Sequence, residues 1–193
     1  RPHYRTGDVI AGARRSSVAS PVPARFDLVY CHGMPTPIRP TSPEARKLAR
    51  QLINDARFAA LAVIDAETQR PLATRIAVVP GPDGMPLSLV SDLSLHTRAL
   101  KTNPACSLLV GEPGPKGDPL THPRLSLMGH AEFIRQEHSE YAVLAGHYLT
   151  LQPKAKLYIG FGDFALMRLI VDVAHLNGGF GKAYSLAAND LKP

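Results

Sequence analysis

A chain of 193 residues, 45% of them hydrophobic, is the size of one domain with extensions and carries enough apolar side chains for an ordinary core. Its formal charge of +6 suits anionic ligands. The basic residues are scattered and Trp is absent, which removes the clustered stripe with stacking aromatics of a nucleic-acid binder. No run of about 18 apolar residues occurs, so a membrane-spanning helix is excluded and no membrane partner is expected. The two cysteines, Cys31 and Cys106, make no disulfide framework. With no apolar signal core either, a reducing, cytoplasmic setting is the expectation. Cys106 reads as a small buried hydrophobe in a strand, and no Cys/His spacing suggests a metal.

Residues 1–40 differ from the rest. Arg1, Arg5, Arg14, Arg15 and Arg25 stand among Pro21, Pro23, Pro35, Pro37 and Pro40, which break any long regular element. A flexible extension is expected there, followed by one domain over 41–193. Order begins at Thr41-Ser42-Pro43-Glu44, a hydroxyl cap with a first-turn Pro and an acid at the positive helix end. Ala45, Leu48, Ala49, Leu52, Ile53 and Ala56 then recur at helical spacing, one amphipathic helix. Strands are predicted over 58–65 and 72–79, separated by a turn at 66–69 and followed by another at 81–84. A third strand over 87–90 runs into a short helix from Ser94, and a fourth covers 106–110. After a Pro/Gly loop over 111–123 come a fifth strand (124–134), a helix (136–149) and a sixth strand (164–174). Gly178-Gly179-Phe180-Gly181 reads as a turn that uses glycine for positive φ. Short hairpin-linked strands without strict βαβ alternation predict a mainly β, α+β fold, a small antiparallel six-stranded barrel.

The segment 86–100 is the most informative. Leu87 and Leu89 alternate with Ser88 as in a half-buried strand, and Ser94, His96 and Thr97 open a helical pattern continued by Leu95, Ala99 and Leu100. A helix N-terminus offers unpaired N–H groups and partial positive charge, so hydroxyls and a basic ring there complete an anion site. Ser94 also reads as an ordinary N-cap. Arg75 shares its strand face with Ala77 and Val79, where a bound anion is the better reason for a planar bidentate donor. Arg124, after the Pro-rich loop, and Lys182, after the glycine turn, read equally as ligand contacts or as solvated surface. His138 and His147 are too far apart for an i, i+4 metal pair and read as surface residues. Asp163 and Asp172 have no carboxylate partner at a telling spacing.

Several pieces in order resemble a known superfamily: Leu72-Ala73-Thr74-Arg75; Ser91-Asp92-Leu93 with His96-Thr97; Asn103-Pro104-Ala105-Cys106-Ser107-Leu108-Leu109. They continue with Asp118-Pro119-Leu120, Pro123-Arg124-Leu125-Ser126-Leu127-Met128-Gly129-His130-Ala131, Phe161-Gly162-Asp163-Phe164 and Gly178-Gly179-Phe180-Gly181-Lys182-Ala183. From about residue 42 to 184 the chain resembles the FMN-binding split-barrel superfamily, the pyridoxamine 5′-phosphate oxidase-like proteins, and within it the HugZ-type haem-utilisation branch. The resemblance implies a homodimer with FMN in a cleft between subunits. It implies that Arg75, Ser94, His96 and Thr97 hold the phosphate and that Leu89, Val90 and Ser91 give backbone contacts to the flavin. It also implies that Arg124 and Lys182 reach the flavin from the partner chain. His96 stands where the oxidases carry Lys, so phosphate binding is expected to weaken as pH rises through the His titration.

The function so implied is an FMN-binding flavoprotein with oxidoreductase activity on an unknown small-molecule substrate. The alternatives are a haem-binding or haem-degrading protein of the HugZ type and a non-catalytic ligand-binding module. That haem branch places a haem-ligating His in the C-terminal tail. The tail after Ala183 holds no His, Tyr184 is its one residue able to coordinate iron, and His175 precedes the glycine turn, so inefficient haem degradation is expected.

Overall fold

A computed structural model describes residues 38–179 and 181–193; most of the extension expected over 1–40 therefore lies outside the described residues. The strands are β1 (Ile38–Arg39), β2 (Phe58–Ile64), β3 (Pro71–Ala77), β4 (Val79–Pro80), β5 (Pro86–Ser91), β6 (Ala105–Val110), β7 (Arg124–Ile134), β8 (Phe164–Asn177) and β9 (Ala183–Ala187). The helices are α1 (Pro43–Asp55), α2 (Leu95–Thr102), α3 (Tyr141–Leu151) and α4 (Ala188–Leu191). The α+β class predicted from the sequence is found. No helix among the described residues is long and apolar enough to cross a membrane.

All six predicted strands form, but the sheet has nine. The additional three are two two-residue bridges and β9, too short to print a periodicity of their own. The sheet is also not purely antiparallel, because β1 pairs parallel with β9. Its order is β1-β9-β8-β7-β6-β2-β3, with β5 branching from β8 and β4 from β5. The sheet is not closed: among the described residues no backbone ladder joins β3 to β5. A single side-chain bond, Ser88 Oγ donating to the Ala77 carbonyl at 2.6 Å, spans them.

β8 organises the site because its two halves serve different partners. Phe164 to Arg168 pairs with β5, and Val173 to Asn177 pairs with β9, while β7 lies along the other edge from Leu166 to Asn177. The predicted second strand breaks at Val78, whose N–H leaves the ladder for the Arg57 carbonyl (3.1 Å). The apolar run of β2 conceals an alternation: Ala59, Leu61 and Val63 are buried while Ala60 and Ala62 are exposed. Ala62 sits in register with Ala73 on β3, Ser107 on β6, Met128 on β7 and Val173 on β8, a row of small and apolar side chains, while Ala60 sits in register with Arg75 on β3 and Leu109 on β6.

α1 begins as predicted, with Ser42 Oγ accepting from the Ala45 N–H and Pro43 in the first turn. Its buried Ala45, Ala49 and Ile53 cover the inner face of the sheet. Arg46 Nε donates to Asp190 at 2.6 Å and ties this helix to α4. α3 starts at Tyr141 instead of 136. His138 Nδ1 accepts the Glu140 N–H and the Tyr141 N–H bonds the His138 carbonyl, so 136–140 close into a turn before the helix. The apolar side of α3 builds a second core with Ile134, Leu87 and Leu166, which backs β5 where it enters the site.

Candidate functional site

β5 delivers the chain to α2 through the turn 91–94, and this turn is held from both sides. Asp92 is gripped by Lys101 (2.9 Å) and by Arg135, which reaches both carboxylate oxygens at 2.8 and 3.0 Å. Lys101 first, then Arg135, holds the Asp92 carboxyl below the usual carboxylate range. On the other side Ser91 Oγ donates to Asp163 Oδ2 at 2.7 Å, and the Asp92 N–H donates to the Asp163 carbonyl at 2.7 Å. Asp163, without a carboxylate partner as its spacing indicated, acts here as a clamp between the β5 turn and the start of β8.

The turn opens α2 in an unusual way. Ser94 is the N-cap by backbone, yet its side chain makes no capping bond, so both the hydroxyl and the first-turn N–H groups are free for a ligand. His96 Nδ1 lies 3.1 Å from Thr74 Oγ1 on β3. When Nδ1 accepts the Thr74 proton, Nε2–H is the ring's remaining donor. Burial lowers the His96 pKa, which favours the neutral ring. The permanent charge is Arg75, exposed on β3, with its guanidinium 4.8 Å from the centre of the Phe58 ring across the β2–β3 ladder.

Arg75, Leu89, Val90, Ser91, Ser94 and His96 line one cleft of about 360 Å³ together with Tyr158 and Phe164. Six of the nine sequence-predicted site residues are thus brought together. Thr97 is not: it is fully buried on the core side of α2, and its hydroxyl has no partner. Arg124 and Lys182 also lie elsewhere. Arg124 pairs with Asn177, the far end of β8 from Phe164, and donates to the Leu120 carbonyl at 3.0 Å. Lys182 is exposed in the turn that closes β8 onto β9, where Gly179 (φ 105°) takes the positive φ expected of it. Between Phe164 and Asn177 runs on the order of 40 Å of strand at about 3.3 Å per residue.

Sequence reasoning missed Thr74, Phe58, Asp163, Tyr158 and Phe164 as parts of this site. The run Phe161-Gly162-Asp163-Phe164 was the available signal, an acid between aromatics at a strand start. A larger cleft of about 470 Å³, lined among others by Asp55, Arg57, Pro80 and Gln152, has no aromatic side chain in its wall and sets the Asp55 carboxylate beside Arg57. Volume alone does not choose the site; convergence of donors does. The donor set suits a phosphate: a bidentate cation, an uncommitted hydroxyl and free helix N–H groups.

A family model described as "CREG, beta-barrel" matches residues 40–191. A chloroplastic protein of Arabidopsis thaliana named as a heme oxygenase, HOZ, is 33% identical over 102 residues, 53% of this chain and 30% of that protein. A protein of unknown function from Agrobacterium tumefaciens, Atu2129, shares 33% identity and a TM-score of 0.69, covering 83% of this chain and 66% of that one. A heme binding protein from Mycobacterium smegmatis shares 30% identity and a TM-score of 0.68, covering 80% of this chain and 61% of that one. The chain therefore spans under a third of the plant protein and under two thirds of the mycobacterial one.

Proposed function

The chain belongs to the CREG beta-barrel family, and from that membership we propose that it is a pyridoxamine 5′-phosphate oxidase-like flavoprotein that binds FMN in the β3–β5–α2 cleft. The observation that carries the proposal is the pairing of Arg75 with an uncapped helix N-terminus, Ser94 and His96 in one cleft that also has an apolar wall. Arg75 would hold the phosphate by charge, Ser94 and the first-turn N–H groups by hydrogen bonds, and the neutral His96 by one N–H. Leu89, Val90 and Ser91 would meet the flavin along the edge of β5. When bound, FMN supplies one- or two-electron redox chemistry to a small-molecule substrate; the protein supplies position and charge. The setting is a reducing, cytoplasmic one, in which Cys106, its thiol pushed up to about 11 by burial, stays a protonated packing residue.

The half-open, six-strand split barrel belongs to the same reading, as does a homodimer. Arg124 and Lys182 cannot reach the cleft of their own chain from the far end of β8, but a second copy could present them to it. The sheet face that carries Leu109 and Met128, 44% and 45% exposed, is the surface such a copy would cover. An interface of this kind buries about 2,000 Å² or more in total.

The alternative, a haem protein, draws on the names of the plant and mycobacterial relatives. His175 does not support it, being an exposed residue on β8 between Ser126 and Ser185 and outside the cleft. Colour and titration separate the readings. Purified protein titrated with FMN is expected to quench or shift the flavin spectrum with a stoichiometry of one per chain, and riboflavin, lacking the phosphate, is expected to bind poorly. A Soret band from bound haemin with no response to FMN would favour the haem reading.

A further inference from the structure

The cleft has two chemically different sides. On the β3 and α2 side stand Arg75, His96 and Ser94; on the β8 side stand Tyr158 and Phe164, with β5 between. The Tyr158 and Phe164 ring centroids are 5.1 Å apart with planes tilted by 42°, and Phe161 meets Phe164 edge-on at 6.4 Å. The two rings that line the cleft are not fully covered: Tyr158 is 37% exposed and Phe164 is half-buried, while Phe161, beside Phe164, lies outside the lining. Nor are they on a loose segment. The N–H groups of Tyr158, Phe161 and Phe164 each bond a carbonyl three residues back at 3.0 Å, and Asp163 locks the turn to Ser91 and Asp92.

Rigidly held aromatic faces left open beside a cation mark a surface built for an occupant, because exposed rings forgo about 25 cal/mol for each Å² of apolar area they could bury. Flat faces select a flat partner, since aromatic pairs gain from offset or tilted stacking beyond simple burial. We infer that Tyr158 and Phe164 are the ring-binding wall of the cleft, so that its ligand is a planar aromatic ring with an anionic arm, the ring lying on this wall and the arm reaching Arg75. The inference rests on the flavin reading above, FMN being a molecule with both parts, and it assigns specificity to residues outside the phosphate turn.

Three probes and two variants test it: FMN, riboflavin and inorganic phosphate, against Tyr158→Leu and Tyr158→Phe. Tyr158→Leu keeps an apolar side chain but removes the π face. It is expected to weaken FMN and riboflavin by about tenfold each, while inorganic phosphate competes with FMN at an unchanged inhibition constant. Tyr158→Phe is expected to leave FMN affinity within about twofold and to brighten the fluorescence of bound FMN. A stacked phenol quenches the excited flavin by lending it an electron, which returns on recombination with no net chemistry, and the phenyl ring lends it far less readily. Unchanged FMN affinity in Tyr158→Leu, with FMN binding intact in the parent protein, would overturn the wall and leave the flavin reading standing. Failure of the parent to bind FMN at all would overturn both. Fluorescence of bound FMN that is the same in parent and Tyr158→Phe would place the ring away from Tyr158 and overturn the assignment.

Discussion

Arg75→Ala is expected to lower FMN affinity by about ten- to a hundredfold and to leave riboflavin binding where it was. A charge-assisted contact to phosphate contributes about 1.5–3 kcal/mol, and Arg75 is the one permanent cation among the described residues that line the cleft. Burial favours the neutral His96 ring, and no other side chain that lines the cleft carries a cation to replace the lost charge. The fold should survive, because Arg75 is exposed and what it gives the protein itself is its position over Phe58, worth about 0.5–1 kcal/mol. At about 2–4 °C per kcal/mol for a chain of this size, the unfolding midpoint should fall by no more than a few degrees. Isothermal titration with both ligands, alongside a thermal melt, reads all three numbers. Equal affinity of the parent for FMN and riboflavin would remove the phosphate role of this cleft. His96→Ala is expected to cost less, since it removes one neutral donor, whereas Thr97→Ala should act through the core and leave affinity unchanged.

Gly129→Ala is expected to destabilise the protein more than any single change at the cleft. Gly129 sits in β7 where the register with β8 shifts between Met128 and Gly129, a bulge in the longest ladder of the sheet. A Cβ built there would collide with the Ile170 carbonyl oxygen and crowd the Val171 Cα, both backbone atoms of the neighbouring strand. A flexible side chain could yield; a paired backbone cannot without parting β7 from β8. The cost is about 3 kcal/mol, at the upper end of overpacking effects. Urea unfolding should show it as a lower midpoint at an unchanged slope. Wild-type stability in this variant would mean that the bulge can open to admit a methyl group.

The difference between these two positions shows what a linear sequence carries. Arg75 was singled out as an arginine on a strand face otherwise lined by small or apolar residues; it does line the cleft, although the break at Val78 takes Val79 off its face and into the second core. The first strand of the site, the turn through Ser94 and α1 with its Ser42 cap were legible because periodicity and capping are set by near neighbours. Thr97 was misplaced beside His96 because adjacent helical residues differ by about 100° around the axis, so one can face the cleft while the other enters the core. Tyr158 and Phe164 gave no pattern, since the turn that brings them together has no period.

Read alone, the chain carries the long strands, the starts of α1 and α2 and a basic, hydroxyl-rich turn at the end of β5. Each of these depends on residues within a few positions of one another, where side-chain alternation and free N–H groups leave a local mark. Only the tertiary structure decided that β8 is divided between β5 and β9. That division sets Arg75, Ser94 and His96 beside an aromatic wall and leaves Arg124 and Lys182 at the other end of the same strand. Strand partners as distant in the chain as Leu87 and Arg168 are chosen by which apolar faces can be buried together, a property of the whole sheet that no window of the sequence contains.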